Sequence, residues 1–180
     1  MKKYAVMFVA LFLLCSCAAG PVYMAKNESE SIKTMYSDPK AQALYNKNTD
    51  LFKDIYLRYN SSRINFYNEG IGITTLKDEK NVPHQYLMTF IRPPEISFDG
   101  NTTKGEQRFS YALLEVPRYM KLLKAGDLER DGIEGLAFGI YWPVRDFGQC
   151  TSNGGFIEYL YVYFDKNDAL DIIAGKKDYK

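Results

Sequence analysis

The sequence predicts one α+β domain: an antiparallel sheet of about five to seven strands, with an N-terminal and a C-terminal helix packed on one face. Three observations predict it. Apolar residues recur at helical spacing between Leu44 and Tyr59. Period-two alternation takes over from Ile64 and returns in the long run from Phe156 to Phe164. The connections between the strand-like stretches are short, which favours antiparallel pairing.

Asp38 opens the first helix. Its carboxylate can cap the free amides, and Pro39 suits the first helical position, which needs no amide donor. Leu44, Leu51, Phe52, Ile55 and Tyr59 then share one side, and Asn60-Ser61-Ser62 ends the helix. Ile64 and Phe66 start a first strand, Asn68-Glu69-Gly70 is expected to turn the chain, and Ile71 and Ile73 continue with period two. Lys77 to Pro83 is a polar loop. Gln85 to Arg92 is a strand stopped by Pro93-Pro94, and Glu95 to Asp99 is a short strand or edge.

Arg108 to Val116 is expected to be a strand. Pro117 then starts a short helix carrying Tyr119, Met120, Leu122 and Leu123, with Gly126 as its stop. Ile133 to Trp142 is a strand ending at Pro143, and a loop of Gly, Ser and Asn follows to Gly155. In the strand from Phe156 to Phe164, Phe156, Leu160, Val162 and Phe164 face one way. Ile157, Tyr159, Tyr161 and Tyr163 face the other. Asp165 or Asn167 caps a last helix through Ile172 and Ile173, with Gly175 after it.

The N-terminus carries a different signal. Lys2 and Lys3 precede an uncharged apolar run from Tyr4 to Leu14. That run is shorter than the roughly 20 residues a bilayer span needs, and it suits a cleaved secretion signal. The junction Leu14-Cys15-Ser16-Cys17 resembles the lipobox of bacterial lipoproteins. Small Ser16 before Cys17 favours Cys17 over Cys15, which follows Leu14.

The resemblance implies a signal peptide over residues 1–16; the polar stretch without periodicity then reads as a lipid-anchored tether over 17–36, and the patterned remainder as the α+β domain over 37–180. The resemblance also implies a diacylglyceryl thioether and an N-acyl chain, palmitate among them, on Cys17. Several acyl chains hold firmly, since each buried methylene contributes about 0.8 kcal/mol. Ala18 and Ala19 follow Cys17, with no Asp of the kind that favours inner-membrane retention in Gram-negative lipoproteins. The resemblance therefore implies the outer membrane, facing the periplasm, in a Gram-negative source.

Composition limits function. The precursor has 23 basic and 22 acidic residues, a formal charge of +1, and loss of Lys2 and Lys3 leaves it near neutral. There is no basic surplus to neutralise phosphates, so nucleic acid is not an expected partner. With Cys17 lipidated, Cys150 has no intrachain partner and is read as a small buried hydrophobe.

Catalytic chemistry is poorly supplied. His84 is the sole histidine and sits at a loop–strand junction. No Gly-x-Ser-x-Gly elbow is present, so no catalytic residue is assigned. One His and one spare Cys cannot build a zinc site. Asp127-x-Glu129-x-Asp131-Gly132 resembles the opening of a calcium loop, but Phe138 occupies the twelfth position, where a bidentate Glu belongs. No metal ligand and no cofactor is assigned.

The aromatics are the remaining signal, with 15 Tyr and 11 Phe. Tyr141, Trp142, Tyr159, Tyr161 and Tyr163 are the candidate ligand-binding residues, because tyrosine joins apolar area to a polar tip. The leading expectation is a non-enzymatic accessory or structural lipoprotein, held to the membrane by covalent lipid and contacting another envelope protein. The alternative is a glycan, peptidoglycan or small-ligand binding module using the Tyr-rich face. A third is an envelope enzyme working through Glu134, Asp146 or Glu158.

Overall fold

The computed structural model describes residues 38–93, 96–145 and 155–179. Asp38 caps α1 (Pro39–Lys47) through the Lys40 amide at 2.9 Å, with Pro39 in the first turn. The helix does not run on to Ser61 as one piece. Asn48 leaves helical geometry, returns its side-chain amide to the Leu44 carbonyl at 2.9 Å, and lets α2 (Thr49–Ser61) start anew. Its local hydrogen bonding competes with helix continuation, as asparagine does in turns. Leu51, Phe52, Ile55 and Tyr59 are fully buried along α2, each contributing about 1.5–3 kcal/mol.

β1 (Asn65–Lys77) pairs antiparallel with β2 (Pro83–Arg92). The turn expected at Asn68-Glu69-Gly70 is not a reversal. The strand continues through it with a register shift between Phe66 and Ile71. Gly70, at φ 75°, takes up the irregularity that a side chain would resist. The reversal comes later, where Asp78 accepts the Lys80 and Val82 amides at 2.9 and 2.8 Å.

The stretch expected to be a strand at Arg108–Val116 is helix α3 (Gly105–Met120). Its buried positions, Arg108, Ala112, Val116, Tyr119 and Met120, follow helical spacing. Pro117 lies inside this helix and does not start one, and Gly126 lies within α4 (Ala125–Leu128) and does not stop one. Arg58 of α2 holds α4 by a fork on Asp127 at 2.8 and 2.9 Å.

β4 (Gly135–Arg145) is central. Along one side it pairs antiparallel with β5 (Gly155–Asp165) over its whole length. Along the other it pairs parallel with β2, from Tyr86–Gly135 to Ile91–Ile140, and then with β3 (Phe98–Asp99) at Val144 and Arg145. β2 and β3 thus form one interrupted column. The sheet is mostly antiparallel but mixed, because α3 and α4 make the long crossover that parallel strands require. Pro143 does not end β4. It lies inside the strand, at the level where β2 has left and β3 has not yet joined.

After β5, the last helix α5 (Lys166–Ile173) starts with Asp165 at its N-cap position, where the side chain makes no capping hydrogen bond, and is followed by Gly175 at φ 69°. The helices pack with Leu87, Ile91, Phe138, Ile140, Trp142, Leu160 and their neighbours into the main core on one face of the sheet. The fold is α+β, in one domain.

Candidate functional site

The opposite face of the sheet is built on small residues. Gly135, Ala137 and Gly139 alternate along β4 and leave a groove down its middle. Rings from the flanking strands fill it. A Cβ on Gly139 would stand 2.9 Å from both Phe90 and Tyr161, and one on Gly135 would strike the Tyr86 ring. Tyr86, Met88, Phe90, Ala137 and Tyr141 form a second buried cluster, with Leu76 and Tyr161 packed against it. Among the described residues, no helix contributes to that cluster.

The rings interlock. Phe90 meets Tyr141 at 5.6 Å and the edge of Tyr161 at 5.9 Å. Tyr159 lies 5.8 Å from Tyr141 and 5.3 Å from Tyr161. The hydroxyls of Tyr141 and Tyr161 share a hydrogen bond of 2.5 Å. At the far end Tyr86 meets Tyr163 edge-on at 5.8 Å and donates to Asp165 at 3.4 Å. Burial pushes the Tyr163 phenol up, and burial followed by the Asp165 carboxylate does the same for Tyr86. Both phenols therefore stay protonated around pH 7.

Exposure divides this face into two layers. Phe90 and Met88 are fully buried, whereas Tyr159 and Tyr163 are 38% exposed and Ile157 51% exposed. Four of the sequence-predicted residues, Tyr141, Tyr159, Tyr161 and Tyr163, thus come together on one surface.

Trp142 does not join them. Alternation turns it to the helix-covered face, where it is fully buried between Phe98 and Phe109. Its Nε1 donates to Glu158 at 2.9 Å. Arg108 grips the same carboxylate with Nε at 2.7 Å and Nη2 at 2.5 Å, and also donates to the Thr103 carbonyl. Burial pushes the Glu158 carboxyl up, but the Arg108 and Trp142 hydrogen bonds and the Arg108 charge outweigh it and hold it below its ordinary value. An ionised carboxylate so occupied is an acceptor in the core, unsuited to donating a proton.

The other candidate groups are tied to local structure. His84 stands between Asp78 at 3.5 Å and Glu134 at 3.6 Å. Asp78 shapes the β1–β2 turn, and Glu134 accepts the Gln85 amide at 2.7 Å. The acidic run separates: Asp127 turns to Arg58, and Asp131 to Lys47 at 3.0 Å. Among the described residues no group of three His, Cys, Asp or Glu side chains is placed to hold a metal ion. None of their helices is long and apolar enough to cross a membrane. Cys17, Cys150 and Asp146 lie outside the described residues.

One feature had no motif to announce it. A cavity of about 690 Å³ opens at the end of the sheet, with Arg92 and Arg145 in its wall. The two arginines come from different strands, β2 and β4, and the parallel pairing brings both to this end of the sheet. Comparison with known proteins gives no match: no family profile, no curated protein and no solved structure is significantly similar to this chain.

Proposed function

We propose that the protein is a non-enzymatic lipoprotein of the bacterial envelope, anchored through Cys17, that docks another envelope protein on the helix-free face of its sheet. The anchor rests on the lipobox Leu14-Cys15-Ser16-Cys17. The docking reading rests on one observation: Ile157, Tyr159 and Tyr163 are exposed along one face of β5, beside a layer of buried rings. Such a platform costs little entropy to hold in place, because its aromatic side chains are already fixed by their neighbours. Large amphipathic rings on a flat, rigid support are the residues that dominate protein contacts.

The test uses the lipidated chain in mild detergent, with Tyr159→Ala/Tyr163→Ala beside it. The expected result is one stoichiometric envelope partner, lost in the double variant, whose melting temperature falls by only about 4–8 °C and whose unfolding stays cooperative. Retention of the partner by the double variant sinks the docking reading. Binding to isolated peptidoglycan, abolished by the same variant, replaces the protein partner with a glycan. For the anchor, Cys17→Ser is expected to leave the membrane fraction and to incorporate no labelled palmitate.

A further inference from the structure

Past the Ile91–Ile140 pair, β2 parts from β4, and the column resumes only where Phe98 meets Val144. Pro93 supplies no amide to prolong the ladder. The opening left at this end of the sheet is the cavity of about 690 Å³, a size within the roughly 300–1,000 Å³ of small-molecule sites.

Its wall is amphiphilic. Asn60 of α2, Asn65 at the start of β1 and Ser97 before β3 offer hydrogen-bonding groups. Phe66 and Ile96 offer apolar surface, and Phe66 is held rigid by stacking on Tyr56 at 5.4 Å and Tyr59 at 5.5 Å.

Among the described residues its charge is positive. The two ionised side chains among the described residues that line it are Arg92 and Arg145. Arg58, Arg108, Arg118 and Arg130 each hold a carboxylate within the described structure. Arg63, Arg92 and Arg145 hold none there, and of these three Arg92 and Arg145 line the cavity. Asp99, which faces Arg145 in the β3–β4 register, gives its carboxylate to the Asn101 amide at 3.0 Å instead. Two permanent cations around one cavity repel each other, and a shared oxyanion reverses that cost. Guanidinium groups bind carboxylate and phosphate through paired, charge-assisted hydrogen bonds.

The geometry points to an anion-binding site: Arg92 and Arg145 take the oxyanion, carboxylate or phosphate, of a small amphiphile whose apolar part lies on Phe66 and Ile96. This site shares no lining residue with the tyrosine platform and stands or falls without it.

Calorimetric titration of the full chain in neutral detergent tests it, with hexyl phosphate and hexanoate as probes and hexanol as the uncharged control. The expected result is binding of at least one of the two anions and none of hexanol. Arg92→Gln and Arg145→Gln each weaken that binding by roughly tenfold, the scale of one lost charge-assisted contact. Arg130→Gln, whose side chain pairs with Asp50 away from the cavity, binds as wild type. Both cavity arginines are exposed, so their variants are expected to keep the wild-type melting temperature.

Displacement of the bound anion by phosphatidylglycerol doped into the micelles assigns it to a lipid headgroup. Binding that persists against the doped micelles assigns it to a soluble metabolite. Absence of binding by both anions overturns the site, as does equal binding of hexanol or unchanged affinity in Arg92→Gln/Arg145→Gln.

Discussion

Arg108 of α3 and Glu158 of β5 form a two-nitrogen ion pair at 2.7 and 2.5 Å, and Trp142 completes it from β4. The pair sits beneath the helix layer, with side chains only 9% and 16% exposed. Removing one partner leaves the other charged and buried. Arg108→Met is therefore expected to cost about 3–5 kcal/mol in urea unfolding. Arg108→Met/Glu158→Leu, which removes both charges, is expected to recover much of that loss.

The same pair sets a pH dependence. Glu158 is held below its ordinary 4.5 in the folded chain. A depressed folded value means that its stabilisation is present above pH 4.5 and is lost as pH falls through the folded value. Wild type is expected to lose stability below pH 4.5 more steeply than Glu158→Gln, measured by urea midpoints across that range.

The groove along β4 predicts a contrast among glycines. Gly139→Ala puts a methyl group 2.9 Å from Phe90 and Tyr161 and is expected to cost about 1–3 kcal/mol. Gly135→Ala is expected to cost more, because its Cβ also meets the Phe164 carbonyl at 2.6 Å, and backbone yields less than a ring. Gly126→Ala, with nothing within 4 Å and a helical backbone, is expected to stabilise by about 0.5–1 kcal/mol. Thermal melts of the three variants check the order.

The two layers of the aromatic face separate in the same way. Phe90→Ala empties a buried position and is expected to cost about 3–5 kcal/mol. Tyr159→Ala and Tyr163→Ala, each already 38% exposed, are expected to cost about 1 kcal/mol apiece. Equal losses in all three would make the face a second core with no surface role.

The legible parts of the fold were those whose pattern is local. Asp38-Pro39 carries a cap, β5 a period and α5 its stop at Gly175, each within a few residues. α3 was misread because Phe109, Tyr111 and Leu113 alternate like a strand. Its true stripe includes Arg108, a charge acceptable in the core only because Glu158 lies beside it. Losing that helix also hid the crossover, and with it the parallel pairing of β2 with β4.

The site divides on the same line. Alternation was enough to align Tyr159, Tyr161 and Tyr163, and the same alternation turns Trp142 to the opposite face from its neighbour Tyr141. The cavity needed Arg92 and Arg145 to come to the same end of the sheet beside a break in the β2 column, which no spacing in the chain records.

The interrupted column also orders assembly in time. The β1–β2 pair closes over a turn of a few residues, whereas Tyr86 must find Gly135 across all of α3 and α4. Loop entropy must be spent before that distant contact returns anything, so the hairpin forms early and the central parallel pairing late. Until then β2 and β4 expose Leu87, Ile91, Phe138 and Ile140 on open edges, the condition in which strands of different chains pair with one another. The slow step of this fold thus coincides with its most aggregation-prone moment, and it is the crossover, not the tyrosine-rich surface, that makes it so.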